Sequence, residues 1–287
     1  MCVVGDDPGG SKPALRRRPS VGFGETQRVT VRGLAIAAEL VGDGLPVVFV
    51  HGFPLDRTTW REVMPALTGR RRIAPDLRGM GLSDVPQRYS MAEYADDLAA
   101  LLDALQARRA VICGLSMGGY IAFELLRRHR DRVRALVLVN TRAESDDPAG
   151  KHARDTMVEL VEREGPGALA DVMVPQLLAP ANLSAMPHVA ERLRTMIVSQ
   201  PAAGIVGALR AMRDRPDSRP LLPDIDVPTL VIAGRDDQLI AASASRALAE
   251  TIPGAQLARI AHAGHLAPLE QPVATGRVIA EFLESLA

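Results

Sequence analysis

Lysine is almost missing from this chain: only Lys12 and Lys151 contribute to a combined lysine and arginine count of 34. That bias reads as genome composition and points to no function. Cysteine is nearly as scarce. Cys2 and Cys113 alone make no disulfide framework, and Cys113 falls within an apolar run while Cys2 lies near the start, so the two are not expected to pair. No apolar run approaches the roughly 20 residues that a membrane-spanning helix needs. An excess of charge is also lacking, since 34 basic and 34 acidic residues cancel. Neither nucleic acid nor a membrane surface is therefore an expected partner. Met1 to Ser20 mixes Asp6, Asp7 and Arg16 to Arg18 with glycine and proline and lacks the apolar core of a signal peptide. The expectation is a flexible tail over residues 1–24 and a cytoplasmic protein.

What the chain does have is apolar content. Hydrophobic residues make up 47% and charged residues 24%, the profile of a globular protein with a large core. Its 287 residues exceed the usual domain size, although α/β folds reach ~250 residues as one unit.

The most telling segment runs from Val111 to Tyr120, where an apolar stretch leads into Gly114-Leu115-Ser116-Met117-Gly118 and then into helix-forming sequence. Gly-x-Ser-x-Gly between a strand and a helix describes a sharp turn that lifts the serine hydroxyl above the sheet edge. The glycines are needed because side chains at those positions would meet neighbouring backbone. The first amides of the new helix also point to where an oxyanion would form. A helix cap is the simpler role for Ser116.

A nucleophilic serine needs a base and an orienting acid, which in this arrangement follow it in the order Ser, Asp/Glu, His. Pro228 to Gly234 is a second apolar strand, with Asp236 and Asp237 in the loop after it. Ala255 to Ile260 is a third, followed by His262 and His265. All three groups thus fall beyond the carboxyl ends of strands, where active sites of open parallel sheets gather. Adjacent aspartates cannot both face one site, and His262 rivals His265. His262-x-x-His265 has no third ligand beside it, so no metal is expected. The chemistry calls for no cofactor.

Elsewhere Val29 to Glu39 alternates as edge strands of a hairpin, Pro46 to Val50 is a buried strand, and Thr58 to Leu67 has helical character. Arg72 to Pro75 forms the next strand. Ser90 and Glu93 have capping-box spacing ahead of the helical repeat Tyr94, Leu98, Leu101, Leu102 and Leu105. Val133 to Asn140 is strand-like. From Thr141 to about Leu222 the rhythm breaks into helical stretches near 150–164, 167–178, 189–199 and 202–213, punctuated by Pro175, Pro180, Pro187, Pro201 and Pro216. Strands alternating with helices imply a mostly parallel sheet.

These motifs together resemble the α/β-hydrolase fold family over nearly all of residues 25–287. His51-Gly52-Phe53-Pro54 after the third strand looks like that family's oxyanion loop. Asp76-Leu77-Arg78-Gly79-Met80-Gly81-Leu82-Ser83 looks like its Asp-x-Arg-Gly-x-Gly-x-Ser loop. The resemblance implies a mostly parallel eight-stranded sheet with helices on both faces, formed by residues 25–140 and 223–287, with a helical cap over 141–222. It implies Ser116 as nucleophile, Asp237 as acid, His265 as base, and the amides of Phe53 and Met117 as the oxyanion hole. Leu55, Trp60, Met173 and Leu177 are the expected pocket residues. His51, Asp76 and Arg78 are expected to brace loops, the last two through a salt-bridged turn. Haloalkane dehalogenases and epoxide hydrolases are known to place aspartate at the elbow, and this chain does not.

Within the family the elbow and Gly-Phe-Pro-Leu are similar to carboxylesterases and cofactor-free perhydrolases or haloperoxidases. Ser90 to Leu105 and Asn140 to Glu144 look more like enol-lactonases. The expected partner is a small ester or lactone, the expected reaction ester hydrolysis on short to medium acyl chains, and a homo-oligomer is compatible with both. Lactone hydrolysis, perhydrolysis, carbon–carbon bond hydrolysis and a non-catalytic binding scaffold are the alternatives.

Overall fold

The computed structural model describes residues 24–286, so the expected tail, apart from Gly24, and Cys2 within it lie outside the described residues. Strands β1 (Glu25–Val31) and β2 (Leu34–Val41) form the hairpin expected near the start. Only β1 is an edge. β2 also pairs antiparallel with β4 (Arg70–Pro75), and Ile36 to Glu39 are buried. The remaining strands, β3 (Leu45–Val50), β5 (Ala110–Leu115), β6 (Val133–Val139), β7 (Thr229–Gly234) and β8 (Gln256–Ile260), complete an eight-stranded sheet in the order β1-β2-β4-β3-β5-β6-β7-β8. Every pairing from β4 to β8 is parallel. All six residues of β5 and of β7 are buried, which is why both read as unbroken apolar runs. The chain steps from β3 out to β4 and then back across to β5. The carboxyl ends of β3 and β5 thus flank the point where the winding reverses, the place such sheets reserve for ligands.

Helices α1 (Met91–Ala104) and α2 (Met117–His129) flank β5 in the chain; α8 (Ala242–Thr251), α9 (Ala267–Glu270) and α10 (Pro272–Glu284) follow β7 and β8. Ser90 caps α1 by accepting from the Glu93 amide at 3.1 Å. Glu93 does not close the box; its carboxylate reaches Arg32 and Arg78 instead. The expected helix over Thr58 to Leu67 is two short 3-10 turns, Arg57–Trp60 and Met64–Ala66. Pro65 explains the difference, because its ring and missing N–H stop an α-helix from passing through.

Between β6 and β7 lie five helices, α3 (Pro148–Glu164), α4 (Pro166–Leu177), α5 (Pro180–Ala185), α6 (Pro187–Val198) and α7 (Ala202–Arg213). The prolines open helices more than they break them. Pro148, Pro166, Pro180 and Pro187 occupy first-turn positions, where the missing N–H costs nothing. Pro175 lies inside α4 rather than between helices. Helix α5 was not expected from the sequence; it is six residues long, too short for a clear apolar period. Among the described residues no helix is long and apolar enough to cross a membrane.

The insertion is fastened to the sheet by a buried carboxylate. Glu270 Oε2 accepts from the Ala179 amide at 2.8 Å and Asn182 Nδ2 at 2.7 Å, while Oε1 accepts from the Gly264 amide at 2.8 Å. Asn182 also donates to the His262 carbonyl at 2.9 Å. One side chain therefore joins the entry to α5 with the loop after β8. Replacing Glu270 by alanine strands three donors in a dry site, each worth about 1–3 kcal/mol. Glu270→Ala should lower the unfolding free energy by at least about 3 kcal/mol in urea titration. A loss below about 1 kcal/mol would show that the joint does not hold the insertion down.

Candidate active site

Ser116 sits between β5 and α2 with φ 52° and ψ −110°, a left-handed backbone that a side-chain-bearing residue rarely adopts. Its amide donates to the Val139 carbonyl at 2.9 Å, and its carbonyl accepts from the Gly119 amide and from Thr141 Oγ1, both at 2.8 Å. A Cβ on Gly114 would overlap the Gly118 carbonyl, and one on Gly118 would overlap the Val50 carbonyl. Strand, helix and the neighbouring β3 approach too closely for anything but glycine. The Ser116 hydroxyl makes no capping bond to α2, so the simpler cap role is not taken up.

The members of the two ambiguous pairs differ in their surroundings. Asp236 and His262 are exposed, and among the described residues His262 contributes only its carbonyl to the local bonding. Asp237 and His265 have side chains only 3% exposed, and His265 Nδ1 lies 3.0 Å from Asp237 Oδ2 and 3.2 Å from Oδ1. The carboxylate is further held by Asn140 Nδ2 on Oδ2 at 2.6 Å and by the Leu239 and Ile240 amides on Oδ1 at 2.8 and 3.1 Å. Burial alone would push this carboxyl up. The His265 bond and charge, with the Asn140 and Leu239 donors, outweigh it and hold Asp237 below its ordinary value. With Nδ1–H turned to Asp237, the His265 Nε2 is left to act as a base.

The His51 loop follows β3. His51 is fully buried, its Nδ1 donating to the Gly52 carbonyl at 2.8 Å while Nε2 accepts from the Leu77 amide at 3.0 Å. Burial pushes the ring's pKa down, against the Gly52 bond that favours the protonated form, which suits a neutral strut. Asp76 and Arg78 brace their loop, but not as one salt-bridged turn. Asp76 pairs with Arg57 and accepts from the Leu82 amide, whereas Arg78 grips Asp97 of α1 with two bonds of 2.6 and 2.7 Å. Among the described residues the amides of Phe53 and Met117 donate to no protein acceptor.

A cavity of about 210 Å³ is lined by Ser116, His265 and Phe53 together with Met157, Met173, Leu177, Met212, Leu239 and Ile240. Ser116 and His265 share this space without a hydrogen bond between them among the described residues, a gap that apo sites commonly close on substrate. Met173 and Leu177 take part in the lining; Leu55 and Trp60 do not. Both are fully buried, Trp60 against Phe49 at 5.3 Å between ring centroids, so they belong to the core beneath the loop. Sequence reasoning assigned no role in the site to Asn140, Tyr120, Arg142, Asp146 or Arg154. Only Asn140 carried a signal, as a residue tolerant of positive φ at the end of β6, where its φ is 46°.

Because Asp237 is held below its unfolded value of about 3.9, its contribution to stability is complete above that value and lost as the pH falls through the folded one. The stability advantage of wild type over Asp237→Asn should stay level from pH 7 to about pH 5 and shrink below about pH 4. A gap that widened on acidification would contradict the assignment.

Comparison with known proteins agrees with this fold. Residues 46–272 match the model of the alpha/beta hydrolase fold. The chain is 32% identical to the AB hydrolase superfamily protein YisY of Bacillus subtilis over 267 residues, 89% of this chain and 98% of that protein. A thermophilic esterase from Thermogutta terrifontis, solved with malate bound, superposes with a TM-score of 0.87 at 42% identity, covering 91% of this chain and 99% of the other. The enol-lactonase from Burkholderia xenovorans LB400 gives 0.84 at 30% identity, over 90% and 100% of the two chains. With its eight-stranded, mostly parallel sheet, the chain belongs to the α/β-hydrolase fold family.

Proposed function

We propose that the protein is a cytoplasmic serine hydrolase of carboxylic esters with short to medium acyl chains, working through an acyl-enzyme. The observation that carries this reading is that Ser116 and an Asp237-bonded His265 line one cavity whose remaining wall is largely apolar. The esterase and enol-lactonase relatives support ester or lactone cleavage.

His265 Nε2 takes the proton from Ser116 as its oxygen attacks the carbonyl carbon, and Asp237 stabilises the imidazolium that forms. The carbonyl electron pair moves onto oxygen, where the Phe53 and Met117 amides receive it. Losing one such donor typically costs on the order of 3 kcal/mol. Collapse of the tetrahedral intermediate expels the alcohol, which takes the proton from His265. Water, deprotonated by the same nitrogen, then attacks the acyl-enzyme and releases the acid. Helices α3 to α7 act as a cap, excluding bulk water and limiting acyl length with Met157, Met173 and Leu177. Methionines in the wall allow it to repack around different acyl groups.

Ser116→Ala should lower kcat on 4-nitrophenyl esters by on the order of 10⁴-fold or more while leaving the circular dichroism spectrum unchanged. Wild-type kcat/KM should peak at short acyl chains and fall steeply toward palmitoyl. Fast turnover of an enol-lactone panel with no turnover of any open-chain ester would favour the lactonase reading. Wild-type activity in folded Ser116→Ala would remove the nucleophile assignment altogether.

A further inference from the structure

Two guanidinium groups line the same cavity as Ser116 and His265, those of Arg142 and Arg154. An apolar ester gives neither a task. Both lean on Asp146, whose side chain is 1% exposed: Arg142 Nη2 lies 2.7 Å from Oδ1 and Arg154 Nε 3.1 Å from Oδ2. A third arginine, Arg215, meets the same carboxylate at 2.9 Å from behind. Arg215 is otherwise committed, donating to the Glu144 and Met212 carbonyls and stacking 4.3 Å over the ring of Tyr120, another lining residue. Glu144 is the second carboxylate facing Arg142, and its Oε2 is buried without a hydrogen-bond partner. Arg142 and Arg154 share the single Asp146 carboxylate at the cavity wall, while Arg215 also faces Asp217. Arg142 also keeps its buried Nε unpaired.

The position of this charge is fixed by the catalytic groups. Asn140 holds Asp237, Thr141 holds the Ser116 carbonyl, and Arg142 is the next residue in the chain. Successive Cα atoms are about 3.8 Å apart, so the backbone of Arg142 cannot drift from the nucleophile without breaking the bonds that place the acid. Arg154 approaches from α3 of the insertion, so the pair straddles the junction of insertion and sheet.

We propose that the substrate carries one carboxylate besides the bond to be cleaved, and that Arg142 and Arg154 bind it while the apolar wall takes the connecting chain. Two lining guanidinium groups that share one carboxylate keep donors for a monoanion, and guanidinium groups suit carboxylate oxygens geometrically. The inference rests on the hydrolase reading above and narrows it to hemiesters, carboxylate-bearing esters or carboxylate-bearing lactones.

Two matched pairs test it. In the first, 4-nitrophenyl hemiglutarate is compared with 4-nitrophenyl pentanoate; in the second, the butyryl ester of glycolate is compared with propyl butyrate. At least one anionic member should be preferred by wild type, as a ratio of kcat/KM values. That ratio should fall about 10- to 100-fold in Arg142→Met and in Arg154→Gln, and Arg142→Lys should recover part of it. No preference in either pair, or a ratio unmoved in both folded variants, would overturn the proposal. Calorimetric binding of monomethyl glutarate to Ser116→Ala, with and without Arg142→Met, provides a readout independent of turnover. Arginine-dependent binding without turnover of any ester would sustain the anion site and sink the hydrolase reading. Ester turnover with no arginine-dependent binding would do the reverse.

Discussion

The backbone of Ser116 occupies a region of φ/ψ space that costs on the order of 1–3 kcal/mol, and it stays there only because its surroundings leave no alternative. β5 is paired with β3 from Val111 to Gly114 and with β6 through to Leu115, which opposes any slide of the strand to relax the turn. α2 is drawn against β3 at Gly118, and the Ser116 carbonyl is fixed by Thr141. Ser116 lines the cavity, and its hydroxyl makes no capping bond to the helix. Everything proposed for the chemistry depends on that placement.

The other groups proposed for the chemistry are placed by the same device, short loops at the carboxyl ends of parallel strands. Asp237 follows β7, His265 follows β8, and Asn140 at the end of β6 ties the acid to the strand next to the elbow. Four neighbouring strands thus deliver one residue each, and the rigidity of the sheet becomes the rigidity of the site. Glu270 extends this to the insertion, since the loop it bonds at Gly264 is the loop that carries His265. Glu270 thus links the start of α5 to the loop that carries His265.

How much of this was legible in the sequence follows the physics of each element. β5, β7 and the elbow announce themselves because doubly covered strands must be continuously apolar and so tight a turn demands glycine. The choice of Asp237 over Asp236 rested on likeness to the family, because adjacent loop carboxylates look alike until a partner is in place. The Thr58 to Leu67 helix failed because one proline outweighed a run of helical character. Trp60 and Leu55 were misplaced because an apolar residue near a catalytic loop can face either the cavity or the core, and only packing decides. The arginine cluster was invisible: its three arginines span residues 142 to 215 and meet through a carboxylate that no motif marks.

The central claim is that a strained serine is activated by a carboxylate-steered imidazole. Labelling with a fluorophosphonate, followed by mass spectrometry of the intact and digested protein, reads it most directly. The account predicts a single adduct on Ser116 whose rate of formation falls by at least about 10²-fold in His265→Gln. An adduct on another residue, or equal labelling rates in the two proteins, would contradict it.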